Sequence, residues 1–204
     1  MKYPEARLLL LTKAPEPGQV KTRLIPRLGA DAAAGLYTEL VHDCLEKTVS
    51  AGLCPVDVWC SPTTDHHFFQ QCRDRYRIDL YQQAQGDLGQ RMSTAIQSTL
   101  QTAGYVVLVG ADCPSLTIDD LDAGFNALRN GADVVLGPAE DGGYYLIGMS
   151  THYGELFQGI PWSTREVFLI TVARLHTLGL NLYTLPIRRD IDTADDYTAY
   201  LAAS

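Results

Sequence analysis

The sequence predicts an α/β fold, a three-layer sandwich with a mostly parallel sheet. Three observations carry that expectation. Residues 8–11, 106–109 and 134–136 are short, continuous apolar runs bounded by glycine, aspartate or proline, the pattern of strands covered on both faces. Stretches between them carry apolar residues at four-residue intervals, as helices with one buried face do. Strand and helix then alternate along the chain, which builds a parallel sheet whose ligands bind beyond the carboxyl ends of its strands.

The elements follow in order. The first strand, at residues 8–11, runs directly into a loop rich in proline and lysine. Leu36/Tyr37, Leu40/Val41, Cys44/Leu45 and Thr48/Val49 then form the core stripe of a long helix. Residues 56–59 and 78–80 alternate apolar and polar positions and read as strands nearer an edge. Met92, Ile96, Thr99 and Leu100 form a second stripe, and the strand at 106–109 leads without a gap to Asp112. Three side-chain oxygens followed three residues later by a carboxylate mark helix starts: Thr117 with Asp120, Ser163 with Glu166, and Thr193 with Asp196. Gly179 supplies a helix stop. Gly142-Gly143 before the apolar residues 144–147 suggests a turn feeding a further, antiparallel strand. With no internal repeat or linker, residues 1–204 are read as one domain.

Composition narrows the function classes. A net charge of −8 argues against long-range attraction to nucleic acid or to an anionic membrane surface. Five cysteines without a C-x-x-C pair, and five histidines without metal spacing, argue against a disulfide framework or a structural zinc. They suit a reducing cytoplasm. The first apolar run is too short for a signal segment or a membrane span, so nothing is expected to export or anchor the chain.

Against this acidic background, residues 13–27 hold Lys13, Lys21, Arg23 and Arg27 and a single acid, Glu16. Ammonium and guanidinium groups give short, charge-assisted bonds to phosphate oxygens. Pro15 and Pro17 stiffen the loop and Gly18 lets backbone N–H groups approach an anion, which favours phosphate capture over a solvated turn. The loop is not a Walker A sequence, because Val20 stands where the glycine before lysine is required.

Asp112, in G-A-D-C-P, is read as a ligand for Mg²⁺ or Mn²⁺ in preference to a helix cap, since Thr117 offers the better cap. Magnesium takes one or two protein carboxylates and completes its octahedron with substrate phosphates and water. Cys113 is a poor nucleophile beside that carboxylate. Asp190 and Asp192 flank Ile191 and point to one side of an extended segment, so they are either the opposite wall of the metal site or a solvated bend. Glu140, Asp141, Gly142 and Tyr144 form either a plain hairpin turn or a group that orients an acceptor hydroxyl or phosphate. Gly86, Asp87 and Arg91 belong to a strand-to-helix turn or to a glycine loop under a nucleoside base.

Four segments together, K-A-P-x-P-G-x-V-K-T-R-L, G-D-L-G-x-R-M, A-D-C-P and G-P-A-E-D-G-G-Y-Y-L-I-G, resemble the GT-A-type glycosyltransferase family of the arsenosugar or radical-SAM-associated kind. The resemblance spans nearly the whole chain. More distantly, residues 20–24 resemble the phosphate loop of 2-phospholactate guanylyltransferase, and residues 190–193 resemble the Asn-Ile-Asn-Thr step of molybdenum cofactor guanylyltransferases. The resemblance implies a GT-A-like, metal-dependent transferase that takes a nucleotide sugar or a nucleoside triphosphate together with a small-molecule acceptor. It implies that Lys13, Lys21 and Arg23 contact the nucleotide phosphates, that Asp112 holds Mg²⁺ or Mn²⁺, and that Asp190 and Asp192 stand in for the two asparagines. Lys21, Arg23 and Asp112 are then the catalytic set. A nucleotide-binding module without turnover is the alternative of a different class.

Overall fold

The computed structural model describes residues 1–203. Its centre is a seven-stranded sheet in the order β3-β2-β1-β4-β6-β5-β7, formed by β1 (Ala6–Lys13), β2 (Val56–Ser61), β3 (Asp79–Gln82), β4 (Tyr105–Gly110), β5 (Val134–Pro138), β6 (Tyr144–Met149) and β7 (Leu182–Thr184). All neighbours are parallel except β6, which runs antiparallel to both β4 and β5. The hairpin expected at 142–147 is therefore present, and its strand is inserted between β4 and β5. The reversed β6 begins at the edge where the parallel strands end. That edge thus receives the turn before β6 as well as the loops after β1 and β4.

Among the described residues there are seven α-helices: α1 (Ile25–Leu28), α2 (Ala30–Ser50), α3 (His67–Tyr76), α4 (Leu88–Thr99), α5 (Ile118–Arg129), α6 (Val167–Thr177) and α7 (Ala194–Ala203). Two cores result, one on each face of the sheet. One packs Tyr37, Val41 and Leu45 of α2, Phe69 of α3 and Phe125 of α5 against β1, β2 and β4. The other packs Met92 and Ile96 of α4 and Leu175 of α6 against Leu9, Leu108 and Ile147. This is the three-layer sandwich. A third cluster of Leu24, Ala33, Leu36, Leu40 and Ile191 ties the loop after β1 to the segment before α7.

Local signals explain most boundaries. Thr117 and Asp120 form a reciprocal capping box at α5, and Asp87 and Gln90 form another at α4. Thr193 and Asp196 bond each other's backbone N–H at the start of α7. The start expected at Ser163 is a correction: Ser163 has a left-handed φ of 66°, and α6 begins at Val167 after an uncapped Glu166. The strand expected at 78–80 is shifted one residue, to Asp79–Gln82, because Ile78 is drawn into the core beside α3. β2 is buried along nearly its whole length, Asp57 included, although its sequence alternates. Helix α3 and strand β7 have no counterpart in the sequence reading. His66 caps α3 through its ring nitrogen, a weak signal, and β7 is only three residues long. Among the described residues, no helix is long and apolar enough to cross a membrane.

Candidate active site

A cleft of about 520 Å³ opens at the carboxyl edge of the parallel strands. Its floor is the end of β1 and of β4, and its first wall is the basic loop. Lys21 is the centre of that wall. Its backbone is left-handed (φ 46°), which turns the side chain back beneath the 3-10 turn Thr22–Leu24. A lysine held in this conformation is strained, and such strain collects at functional sites. Lys21 Nζ lies 3.1 Å from Asp112 Oδ2 and 3.5 Å from Asp192 Oδ1, with only 4% of its side chain exposed. Arg23 donates to Asp192 Oδ2 at 2.6 Å. The chain thus brings residues 21–23, 112 and 190–192 to one place: the basic loop meets Asp112, and of the two positions left open for Asp190 and Asp192 the structure shows the one beside them.

The strand end aims Asp112. A methyl group on Gly110 would stand 2.8 Å from Asp112 Oδ1, so glycine there lets the carboxylate fold back over the end of β4. Ile191 N–H bonds Asp112 O at 2.9 Å, and the Ile191 side chain is buried in the third cluster. That anchor presents Asp190 and Asp192 to the cleft, which both of them line. Behind the loop, the Tyr37 hydroxyl accepts Lys13 N–H at 3.2 Å and pairs with Thr12 Oγ1 at 2.8 Å, fixing the point where β1 becomes loop.

Electrostatics divide the carboxylates. Burial favours the neutral form of Asp112, but the charge and hydrogen bond of Lys21 prevail and hold its carboxyl below the usual range. Lys21 is likewise held above the usual lysine value, because the attraction of Asp112 and Asp192 outweighs its desolvation. Asp190 goes the other way: burial, then repulsion by Asp141 and Asp112, push it up to about 7. The folded chain therefore retains the Asp190 proton more tightly than the unfolded chain, and this residue's contribution to stability falls as pH rises from about 4 to about 7. In metal-free buffer Asp190→Asn is expected to melt a few degrees above the parent at pH 8 and to differ little near pH 4, measured by thermal unfolding.

Several other expected residues lie in the cleft wall: Lys13, Arg91, Asp141 and Tyr144. Arg91 is held by Gln83 Oε1 at 3.2 Å, and Gln83 spends its amide group on Thr12 O and Trp59 O, both at 2.8 Å. Six others are outside the lining. Pro17 and Gly18 sit earlier in the basic loop, Gly86 and Asp87 build the α4 cap, Glu140 is paired to Arg189 at 2.6 Å, and Gly142 packs against the backbone of Arg165. Cys113 is buried with its thiol pushed up to about 11, in keeping with its expected inertness. Tyr37, Gln83 and Trp162 are cleft residues that the sequence reading passed over. Each belongs to an apolar or polar run that nothing local marks as functional.

A family model matches residues 44–164, more than half of the chain. The chain belongs to DUF2064, described as an uncharacterized protein conserved in bacteria. This DUF2064 chain is 32% identical to a protein from Desulfovibrio desulfuricans G20 provisionally described as a nucleotide-diphospho-sugar transferase, with a TM-score of 0.88 over 97% of this chain and 86% of that one. CMP:2-keto-3-deoxy-manno-octonic acid synthetase, solved with CTP, shares the fold at 12% identity and a TM-score of 0.62, covering 98% of each chain. Glucosyl-3-phosphoglycerate synthase from Mycobacterium tuberculosis, solved with Mn²⁺, UDP and glucosyl-3-phosphoglycerate, does so at 11% identity and a TM-score of 0.57, covering 98% of this chain and 76% of that one. No curated protein matches the sequence. The α/β architecture expected from the sequence is thus that of nucleotide-diphospho-sugar transferase structures.

Proposed function

We propose that this DUF2064 chain is a metal-dependent transferase acting on a nucleotide-diphospho substrate, most simply a nucleotide sugar whose glycosyl group passes to a small acceptor. One observation carries the reading: Lys21 Nζ and Asp112 Oδ2 meet at 3.1 Å in a cleft that also receives Arg23, Asp190 and Asp192. Simple anion capture does not require carboxylates. A chelated polyphosphate does.

The donor set fits a divalent cation. Asp112 and Asp190 line the same cleft, and burial, then repulsion by Asp141 and Asp112, raises Asp190 to about 7, so a cation entering there would relieve part of that cost. Among the described residues no three histidine, cysteine, aspartate or glutamate side chains form a ready-made metal cage. Mg²⁺ and Mn²⁺ sites that are completed by substrate phosphates need only one or two carboxylates, and Asp112 with Asp190 or Asp192 would supply them. When bound, the ion would neutralise charge building on the departing phosphate. Lys21 and Arg23 would stabilise the same charge from the loop side, with the exposed Lys13 supplying a further cation to the cleft. Asp141, which lines the cleft close enough to Asp190 to repel its charge, would orient an acceptor hydroxyl.

The glycosyl form of the reaction rests on resemblance to the arsenosugar-associated family. Nucleotidyl transfer is the second reading, favoured by the loop at residues 20–24 and by the fold shared with a CTP-bound synthetase. The products separate them: nucleoside diphosphate for the first, pyrophosphate for the second.

The test is a melting-temperature panel of nucleoside di- and triphosphates and nucleotide sugars, with and without Mg²⁺ or Mn²⁺. A ligand at a hundred times its dissociation constant adds about 2.7 kcal/mol, and a chain of this size gains about 2–4 °C per kcal/mol. A metal-dependent rise of that order with some nucleotides is expected. No rise with any of them would end the reading.

A further inference from the structure

The part of the cleft at the start of β6 is built from side chains that the proposed phosphate grip does not use. The Tyr144 hydroxyl is fully covered and has no hydrogen-bond partner, and the same holds for Trp162 Nε1. Both residues line the cleft, with ring centroids 6.3 Å apart in an edge-to-face arrangement. Buried donors without acceptors are rare in folded proteins, and two of the three among the described residues belong to this one pocket wall, the third being Trp59 Nε1 outside the cleft.

The backbone around them is shaped for the indole. A methyl group on Gly89, in the first turn of α4, would stand 2.6 Å from both Trp162 Nε1 and Phe157 O, so only glycine lets the ring lie there. Ser163, next in the chain, is held at φ 66° and lines the cleft with Thr164. Gly142 touches the Arg165 backbone and accepts Phe168 N–H at 2.9 Å, which pins this segment to the turn that carries Asp141.

We infer that this part of the cleft is a sugar-ring subsite, in which Tyr144 and Trp162 donate to ring or hydroxyl oxygens while Asp141 accepts from a hydroxyl. The class follows from the mixture. A sugar ring offers apolar C–H faces to aromatic carbon, and hydroxyls that donate and accept at once. The wall supplies aromatic faces, two donors and one carboxylate, a few polar groups set in apolar surroundings such as Leu88, Met92 and Val167. Because both atoms are covered, a sugar oxygen reaches them only when the segment carrying Trp162 shifts, and this makes the indole its own reporter. The inference rests on the transferase reading and names the group that the reaction moves or receives.

Trp59 and Trp162 are the only tryptophans, so Trp59→Phe leaves Trp162 as sole fluorophore. This variant is titrated with D-glucose, D-mannose and D-galactose in the presence of Mn²⁺, with the open-chain polyol sorbitol as control. A saturable change with at least one sugar, absent with sorbitol, is expected. Adding Tyr144→Phe should weaken it about tenfold, the loss of roughly one well-placed hydrogen bond in a closed site. Arg23→Ala should leave it in place. No saturable response to any of the three sugars overturns the inference, as does a response that Tyr144→Phe leaves intact. If Trp59→Phe fails to fold, the difference between wild-type and Trp162→Phe fluorescence gives the same signal. Competition by a nucleotide sugar marks the subsite as the donor's, and additive binding marks it as the acceptor's; either outcome supports it. Nucleotides that raise the melting temperature beside sugars that leave Trp162 unchanged would sink this inference alone. Sugars that bind where no nucleotide does would sink the transferase reading instead.

Discussion

Asp112→Asn is expected to remove the metal-dependent part of nucleotide binding while leaving the fold in place. The substitution keeps size and shape, so Gly110 still accommodates the side chain and the Ile191 bond to the Asp112 carbonyl is untouched. What changes is charge. Asp112 is the carboxylate that Lys21 keeps ionised, and an amide at that position is a poor ligand for a hard cation. In a panel where the parent gains about 5–10 °C from nucleotide with Mn²⁺, the variant should gain no more with Mn²⁺ than without it. Turnover should fall about 10²–10³-fold, the scale seen when one electrostatic partner of a developing charge is removed. The check is thermal shift at matched nucleotide concentration with and without metal, followed by product analysis. An unchanged metal effect would take Asp112 out of the mechanism.

Lys21→Met should show the opposite balance, with a loss of intrinsic stability that added cation partly restores. The Lys21 side chain is 4% exposed and bonds two carboxylates, which are 41% and 34% exposed. Breaking a fully buried pair costs about 3–5 kcal/mol, but solvent screens these half-open carboxylates, and about 1–2 kcal/mol is the appropriate scale. That corresponds to a fall of about 2–8 °C in melting temperature. Asp112, no longer held in its charged form by Lys21, should then titrate higher. Mn²⁺ should recover part of the loss, because it supplies the positive charge that the carboxylates have lost. Nucleotide affinity should remain weak even so, since the phosphates have lost their buried donor. Melting curves at several Mn²⁺ concentrations, with and without nucleotide, test both halves. A variant that loses stability but keeps full nucleotide affinity would assign Lys21 to folding alone.

The sequence was most legible where chemistry and local structure coincide. The run into β1 and the cations behind it, and the strand leading to Asp112, each announce a group held at a strand end, while the alternation around Ile191 left two readings open; all three meet in the cleft. Capping pairs at Thr117 and Thr193 were readable because a reciprocal bond spans only three residues. Ser163 failed for an instructive reason. The same spacing occurs there, but Ser163, next to the Trp162 that packs over Gly89, takes a left-handed step, and α6 begins about one turn later. Tyr37, Gln83 and Trp162 were invisible because their roles depend on partners 8 to 71 residues away, such as Thr12 and Arg91, or on a space that exists only after the sheet has closed. Gly86, Asp87 and Glu140 offered functional side chains or turns in sequence, yet their nearest demands are a helix cap and an arginine.

The direction of one strand has a lasting consequence. By entering backwards between β4 and β5, β6 hands its opening residues to the rim of the cleft, so Asp141, Gly143 and Tyr144 reach it from a turn separate in sequence from the loops that carry Lys21 and Asp112. In the proposed transferase, changes confined to that turn would alter what the cleft receives without altering the groups proposed to hold phosphate.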